Sequence, residues 1–554
     1  MLRKSPLVAL SALFAVAAQA AAPPQVPNAG SILQENQPPQ SPSASSTGTG
    51  LTIEQSNGNP APPSAPFTVS KIEITGNTRF NVAVLHALVA DAEGKNLTLA
   101  QLEEAAGRIT SYYQGHGYPL SRAVIPAQAV HNGVVRLMII EARYGKIKLD
   151  NRSRIHESLL SGTLAPLQSG QQVEQNALDH SLLLLSDVPG VASNATLKPG
   201  EAVGTSDLEI ETTNKQAVTG SAWVDNYGNR YTGIARLGGA ISVFDPLHHG
   251  DVFSINALTT GSGMNYGRLS YEGLLNGVGT DLGAAYSALH YTLGDTLAAL
   301  DGRGTAGVGS LWLKQTFIRT RDVNLYAQVE YDHKQLKDDI DATDIRTDRH
   351  LDEVTASLIG DWRDFNGVNS WSLALTQGRV EFDNAAAELA DAATARTQGS
   401  FSKWVAAFNR LQSIDQNDAL YVALSGQWSN TNLDASEMMV AGGAYTVRAY
   451  DIGALSGDSG VLGNVEWRHE LGRLLGGRMQ GTVFFDSQHV TIDHTTWSAG
   501  PNNATLNGAG LGFNWFGAAG SSVTAAVAAP VGGTPQLIGD NKSLHAWIAL
   551  NLTF

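Results

Sequence analysis

The stretch from Ser543 to Phe554 reads SLHAWIALNLTF, and it alternates. Leu544, Ala546, Ile548, Leu550, Leu552 and Phe554 hold every second position, with Ser543, His545, Asn551 and Thr553 among the residues between them. Successive side chains of a strand point to opposite faces, so this period gives one wholly apolar face and one wetter face. A half-buried strand of a soluble sheet also fits that pattern. Two features weigh against it: the strand runs straight into a terminal aromatic, Phe554, and the other end of the chain has the texture of an export signal. Together they predict a membrane strand, with lipid on one side and a water-filled lumen on the other.

At that other end, Arg3 and Lys4 precede the apolar run PLVALSALFAVAA, which is short for a membrane helix, and Ala18-Gln19-Ala20 supplies the small residues of a cleavage site. A signal peptide over 1–20 is expected. The sequence holds no cysteine, so disulfides and thiolate metal sites are excluded, as suits a chain exported into an oxidising compartment. A net charge of -15 argues against nucleic acid and against a polybasic membrane contact. Mean hydropathy is -0.10, a soluble average, but a barrel hides its membrane face in a two-residue period.

Three zones follow. Residues 21–66 are rich in Pro, Ser and Gly and poor in apolar residues, which predicts a periplasmic linker that cannot offset its own ordering entropy. Within it, a short helix around Ser31–Gln34 is an open reading. From Phe67 the texture is globular, in the order β-α-α-β-β. Thr98 and Gln101 form a capping box; Leu102, Ala105, Ile109 and Tyr112 make one apolar stripe; Gly115 and Gly117 stop the helix. The same order recurs after Tyr144, with a helix near Ile155 and another in EQNALDHSLLLLSDV. Two small α+β modules are expected at 67–144 and 145–215.

From 216 to 554 the sequence gives about sixteen strand candidates, a number that suits a closed antiparallel barrel. A doubtful helical patch lies at Ala385–Ala395. The connections alternate: DFNGVN and SIDQND are tight, whereas KDDIDATDIRTDRH, NAAAELADAATARTQG and the stretch Thr431–Ser459 are long. A transmembrane barrel with a short-turn periplasmic rim and a long-loop outer rim is the predicted fold class.

The longest loop, between roughly the eleventh and twelfth strands, holds GGAYTVRAYDIG, Gly442–Gly453. Arg448 stands there among apolar neighbours, as though meant for burial, and a buried guanidinium needs a carboxylate. Asp451 or water would serve equally well if the loop were exposed. Two other constellations are weak. GDSG at Gly457–Gly460 spells a serine-protease nucleophile segment, but no segment resembling the matching histidine or aspartate motifs accompanies it. His248-His249 point to different faces of extended backbone and have no evident third ligand, so a polar periplasmic turn is expected. No phosphate-binding loop is present.

The whole mature chain resembles the transporter component of two-partner secretion, the haemolysin secretion/activation branch of the Omp85 superfamily. GYPLSRAVIPAQ (Gly117–Gln128) matches the first POTRA module and LLLLSDVPGVASNATLKPG (Leu182–Gly200) the second. DNYGNRYTG (Asp225–Gly233) matches the barrel entry, TVRAYD (Thr446–Asp451) the loop motif Val-Arg-Gly-Phe/Tyr, and FFDSQ (Phe484–Gln488) the strand motif Phe-x-Asp-x-Gly. Ala449 and Gln488 stand where the family has glycine.

The resemblance implies that the modules are periplasmic POTRA units and that the loop folds into the barrel. Arg448, carried by Val447, Ala449 and Tyr450, would meet Asp486 of the strand motif that includes Phe484 and Gln488. It further implies a non-enzymatic translocator, without cofactor or metal, for one large exoprotein bearing an N-terminal secretion domain. Its other partners would be outer-membrane lipid and, during biogenesis, the barrel assembly machinery, with Phe554 as the insertion signal. A barrel insertase of the same superfamily is the alternative, and a passive porin a third. A neighbouring gene for a large β-helical exoprotein would discriminate best.

Overall fold

The computed structural model describes residues 26–36, 44–54, 64–539 and 541–554. The expected signal peptide at 1–20 lies outside the described residues.

The chain first forms helix α1 (Ala29–Glu35) and a short strand β1 (Leu51–Ile53). The first module holds β2 (Phe67–Val69), β3 (Lys71–Thr75), α2 (Val82–Ala87), β4 (Lys95–Leu97), α3 (Leu99–Gly115), β5 (Arg122–Val124) and β6 (Val134–Ile140). Its main sheet has the order β3-β6-β5, and the β2–β4 pair is an addition to the expected order. Helix α3 begins at the expected capping box, the Thr98 N–H donating to Gln101 Oε1 at 2.9 Å. Its inner stripe runs through Leu102, Ala105 and Ile109 to Tyr113, where Tyr112 was expected. Phe80 packs edge-on against both tyrosines, but only Tyr113 reaches inward, donating to Glu141 Oε1 at 2.8 Å.

The second module holds β7 (Arg143–Asn151), α4 (Glu157–Leu164), α5 (Gln175–Asp187), β8 (Val191–Pro199) and β9 (Thr205–Asn214), around a core of Leu160, Leu178, Leu182, Leu197, Leu208 and Ile210. Its sheet is extended by the linker: β1 runs parallel to β8, giving the order β1-β8-β9-β7.

The barrel begins with β10 (Val218–Asp225), β11 (Arg236–Phe244), β12 (Val252–Thr259), β13 (Met264–Asn276), β14 (Thr280–Thr292) and β15 (Gly302–Arg319). It continues with β16 (Val323–Ile340), β17 (Ile345–Asp364), β18 (Gly367–Phe382), β19 (Gly399–Ser413) and β20 (Asp418–Ser429). The long loop carries a small hairpin, β21 (Met439–Ala441) and β22 (Leu455–Gly457). The wall resumes with β23 (Ser459–Leu474), β24 (Gly477–Thr491), β25 (Asn503–Phe516), β26 (Ser522–Pro530) and β27 (His545–Thr553). These sixteen wall strands close into a barrel, β27 pairing with β10. Closure removes every free strand edge, which a lipid environment demands. The main chain of Phe554 completes the seam, exchanging two hydrogen bonds of 2.8 Å with Gly220. The alternation on β27 is as expected: Ile548, Leu550 and Leu552 are exposed on the outer wall, while His545 and Trp547 are buried on the inner one.

Two polar segments differ from the sequence reading, and the helical patch within Ala385–Ala395 is borne out. KDDIDATDIRTDRH is mostly strand, because β16 and β17 continue to Ile340 and from Ile345 and pair across Asp339↔Arg346 and Lys337↔Asp348. Cross-strand ion pairs such as Arg346–Asp339 let this hairpin stand in water, so its composition reads as loop. The patch at Ala385–Ala393 is a helix, α6, capped by Asn384. Part of the 21–66 segment is ordered and lies inside the barrel rather than in the periplasm. There α1, capped by Asn28 and Ser31, packs Ile32 and Leu33 against Met264, Leu289 and Leu336 of the inner wall. A few apolar residues suffice because the lumen already surrounds them.

At the module-side rim, Arg319 ends β15 fully buried, its fork on Asp187 of α5 at 2.6 and 2.8 Å. The same guanidinium donates to the Ser46 carbonyl at 2.9 Å, tying the linker and the second module to one point of the barrel. The turn with His248 and His249 lies on this rim. His249 sits 4.9 Å from the ring of His156 in the second module, and the described residues hold no group of three candidate metal ligands.

Candidate functional site: a loop pinned to the inner wall

The loop between β20 and β23 turns into the lumen. Val447, Ala449 and Tyr450 are buried there with Phe484, Leu506 and Trp547 in one apolar cluster. Arg448 projects from this turn onto β24. Its Nε and Nη2 donate to the two Asp486 oxygens at 2.9 and 2.7 Å, and its backbone N–H adds a bond of 3.1 Å. The guanidinium stacks on Phe484, 3.4 Å from the ring centroid. Its third nitrogen, Nη1, donates to Glu466 at 2.7 Å. Asp486 is fully buried and also accepts from Asn464 Nδ2 at 2.8 Å. From the other side, Trp547 of the seam strand donates to the Arg448 carbonyl at 2.7 Å. Each of the three guanidinium nitrogens thus donates to a carboxylate, the kind of pairing under which a buried ion pair is tolerated.

The two departures from the family pattern are accommodated differently. Ala449 is not left-handed, so its methyl brings no backbone strain. The room comes from Gly508 on β25, where an added Cβ would lie 2.6 Å from the Ala449 methyl. Gln488, by contrast, is fully buried and donates to the Val440 carbonyl at 3.0 Å.

Several residues of this site were not singled out from sequence. Glu466 also binds Arg468 at 2.7 Å, and the Arg468 guanidinium lies over the Tyr421 ring. Asn464, Glu466 and Arg468 alternate with the exposed Val465 and Trp467, so the period of β23 held the signal for an inward charged row. A second cluster grips the loop root. Lys334 and Lys403 both pair with Glu437, Arg349 pairs with Asp434 and Asp338, and all are buried but the half-buried Lys403. Helix α1 rests on this root: the Ala29 N–H donates to Asp338 at 2.7 Å and the Gln34 side chain to the Ser436 carbonyl. Gly30 meets the backbone of Ala435 and Ser436 so closely that an added Cβ would lie 2.6 Å from the Ser436 nitrogen. At the far end of α1, Asn229 from the barrel-entry segment donates to Glu35 at 2.8 Å. In the GDSG segment, Asp458 accepts the backbone N–H groups of Leu433 and His494, and Ser459 accepts that of Ser429. Its hydrogen bonds staple the two ends of the loop.

A closed sixteen-strand barrel with tandem α+β modules on one rim and an arginine-pinned loop in its lumen defines a membrane-spanning β-barrel protein with a filled lumen. The family described as haemolysin secretion/activation protein ShlB/FhaC/HecB matches residues 204–515, and a ShlB-type POTRA domain matches residues 67–142. The chain belongs to this haemolysin secretion/activation family. It is similar to the heme/hemopexin transporter protein HuxB of Haemophilus influenzae, with 24% identity covering 88% of this chain and 87% of the relative. It is also similar to the outer membrane transporter CdiB of Escherichia coli, with 24% identity over 74% of this chain and 70% of the relative. The solved structure of Escherichia coli CdiB superposes with a TM-score of 0.68 at 21% identity, covering 91% of this chain and 93% of CdiB. BamA from Haemophilus ducreyi lacking POTRA domains 1-3 shares the fold at a TM-score of 0.54 and 12% identity, covering 88% of this chain and all of that one. The chain is therefore an outer-membrane translocator of the two-partner secretion class, its POTRA modules in the periplasm.

Proposed function

We propose that this translocator binds one large exoprotein through the N-terminal secretion domain of that partner, and that the pinned loop and α1 together hold the lumen shut until it arrives. The observation that carries this reading is that Arg448, the root cluster and α1 form one connected body in the lumen, held to the wall by side chains. A body fixed by ion pairs can be released and re-formed without breaking the barrel, whose wall is a continuous hydrogen-bond network.

The second POTRA module offers strand addition as the means of capture, since main-chain pairing at a sheet edge binds extended chain regardless of most side chains. In the resting arrangement β1 occupies the β8 edge, so an incoming strand adds there only by replacing it. Replacing β1 pulls on the linker that Arg319 clamps and that leads back to α1. No catalytic group enters this scheme, and external folding of the cargo supplies a plausible driving force. Outer-membrane lipid meets the exposed apolar wall, and the barrel assembly machinery reads the Phe554 end.

The test is a deletion of residues 67–214 in cells that make the chain together with its exoprotein partner. The truncated barrel is expected to reach the outer membrane, with heat-modifiable mobility on a gel, and to secrete nothing. Secretion at the undeleted level would remove the capture role, and cargo left integrated in the membrane would favour the insertase reading.

A further inference from the structure

The inner face of β24 presents Phe484, Asp486, Gln488 and Val490 in succession, all buried. Asp486 is matched to the tip of the loop. Gln488, one inward position along, is matched to a different part of it. Its Nε2 donates at 3.0 Å to the carbonyl of Val440, the central residue of β21. Val440 pairs with Ser456 of β22, so the bond reaches the whole hairpin stem rather than one strand. The stem lies hard against the same stretch of wall: at Gly457 an added Cβ would sit 2.3 Å from the Thr491 carbonyl and 2.5 Å from Val490. The other amide atom, Gln488 Oε1, is buried with no hydrogen-bond partner. An unmatched buried acceptor costs free energy, so bulk alone does not account for an amide here; an apolar side chain would fill the space without that cost. The donor half of the amide is what the site uses.

We propose that Gln488 is a second anchor of the loop, independent of the Arg448 pair, positioning the β21–β22 stem on β24. Where the family pattern has glycine this donor is absent. In this chain loss of Arg448 frees the tip and leaves the stem in place, so tip and stem are released separately. The proposal rests on the reading that the loop is a closing element, but its test reads loop position, not transport.

The sequence has no cysteine, so single reporters can be placed without background. Thr446→Cys reports the tip and Ala441→Cys the stem; both positions are buried. Labelling by a membrane-impermeant maleimide is measured on whole cells, with heat-modifiable mobility confirming an intact barrel in each variant. Gln488→Ala is expected to raise stem labelling about tenfold, the scale of one buried hydrogen bond, with little change at the tip. Gln488→Met keeps the bulk without the donor and is expected to match Gln488→Ala at the stem. Arg448→Ala is expected to raise tip labelling and leave the stem within about twofold. Stem labelling at the parental level in Gln488→Ala would overturn the proposal. So would parental labelling in Gln488→Met, which would reduce the role of Gln488 to packing. The expected labelling with undiminished secretion would uphold the anchor and defeat the closing role of the loop.

Discussion

Arg448→Ala is the perturbation whose size the structure fixes best. The substitution removes three side-chain hydrogen bonds, two to Asp486 and one to Glu466, and the stacking on Phe484. Breaking a buried ion pair by deleting one partner costs about 3–5 kcal/mol, mainly because the other charge is stranded. Here both carboxylates keep some support. Asp486 retains Asn464 at 2.8 Å and the main-chain N–H of residue 448 at 3.1 Å, and Glu466 retains Arg468 at 2.7 Å. The lower end, about 3 kcal/mol, is therefore expected, which moves the docked-to-undocked ratio of the tip about 100-fold.

Asp486→Ala strands the guanidinium on Glu466 alone and should displace the tip comparably. Secretion should fall sharply in both while barrel abundance holds. Arg448→Lys should rescue only in part, since an ammonium reaches one carboxylate but lacks the fork that joins two. The assay is protease access to the loop tip in whole cells, for each single variant and the double. Coupled residues give a double variant no worse than either single one. Strictly additive effects, or normal secretion by Arg448→Ala, would refute the pairing as a working device.

Gly30→Val should unseat α1, because its side chain would enter the Ala435–Ser436 backbone; planar-bilayer conductance should rise while tip protection persists, and unchanged conductance would contradict a closing role for the helix. Glu141 joins the two modules, accepting from Thr78, Arg79 and Tyr113 of the first and from Gln172 of the second. Burial opposes ionisation, but bonds from the Thr78 hydroxyl and amide, the Arg79 amide and the Tyr113 hydroxyl outweigh it and hold the carboxyl below its ordinary 4.5. The folded form thus binds this proton less readily than the unfolded one. Its stabilisation is present above about pH 4.5 and is lost as pH falls further. Limited proteolysis of the modules should accelerate across that window in the parent, and Glu141→Gln should flatten the dependence; an equal slope in the two would assign it elsewhere.

How much of this was legible in the sequence depends on what each feature obeys. The strand period survives in any single segment, so Ile548, Leu550 and Leu552 announced an outer wall before any partner strand was known. Arg448 and Asp486 were paired through motifs, although nothing in their spacing says that the loop returns to β24. The root cluster had no comparable sign. Lys334 and Glu353 read as the wet side of ordinary strands, and only closure of the barrel turns that side into an interior where they face Glu437 of the loop. A short helix around Ser31–Gln34 was an open reading, but the lumenal seat of α1 escaped for a related reason: its neighbours are polar, and the surface that stabilises Ile32 and Leu33 comes from wall strands far along the chain. Arg319 and Ser46 likewise meet only because the linker leaves the lumen at the module-side rim.

The central claim is that cargo passes through the lumen, and two adjacent wall positions test it. Gln328 faces inward, bonded to Glu330 and paired in register with Ser357 of β17, while the next residue, Leu358, is exposed on the outer wall. A photo-cross-linking side chain at each position, activated during export of the exoprotein partner, should trap cargo at 328 and not at 358. Cargo trapped at 358 alone, or exported in full with no cross-link at 328, would contradict passage through this barrel.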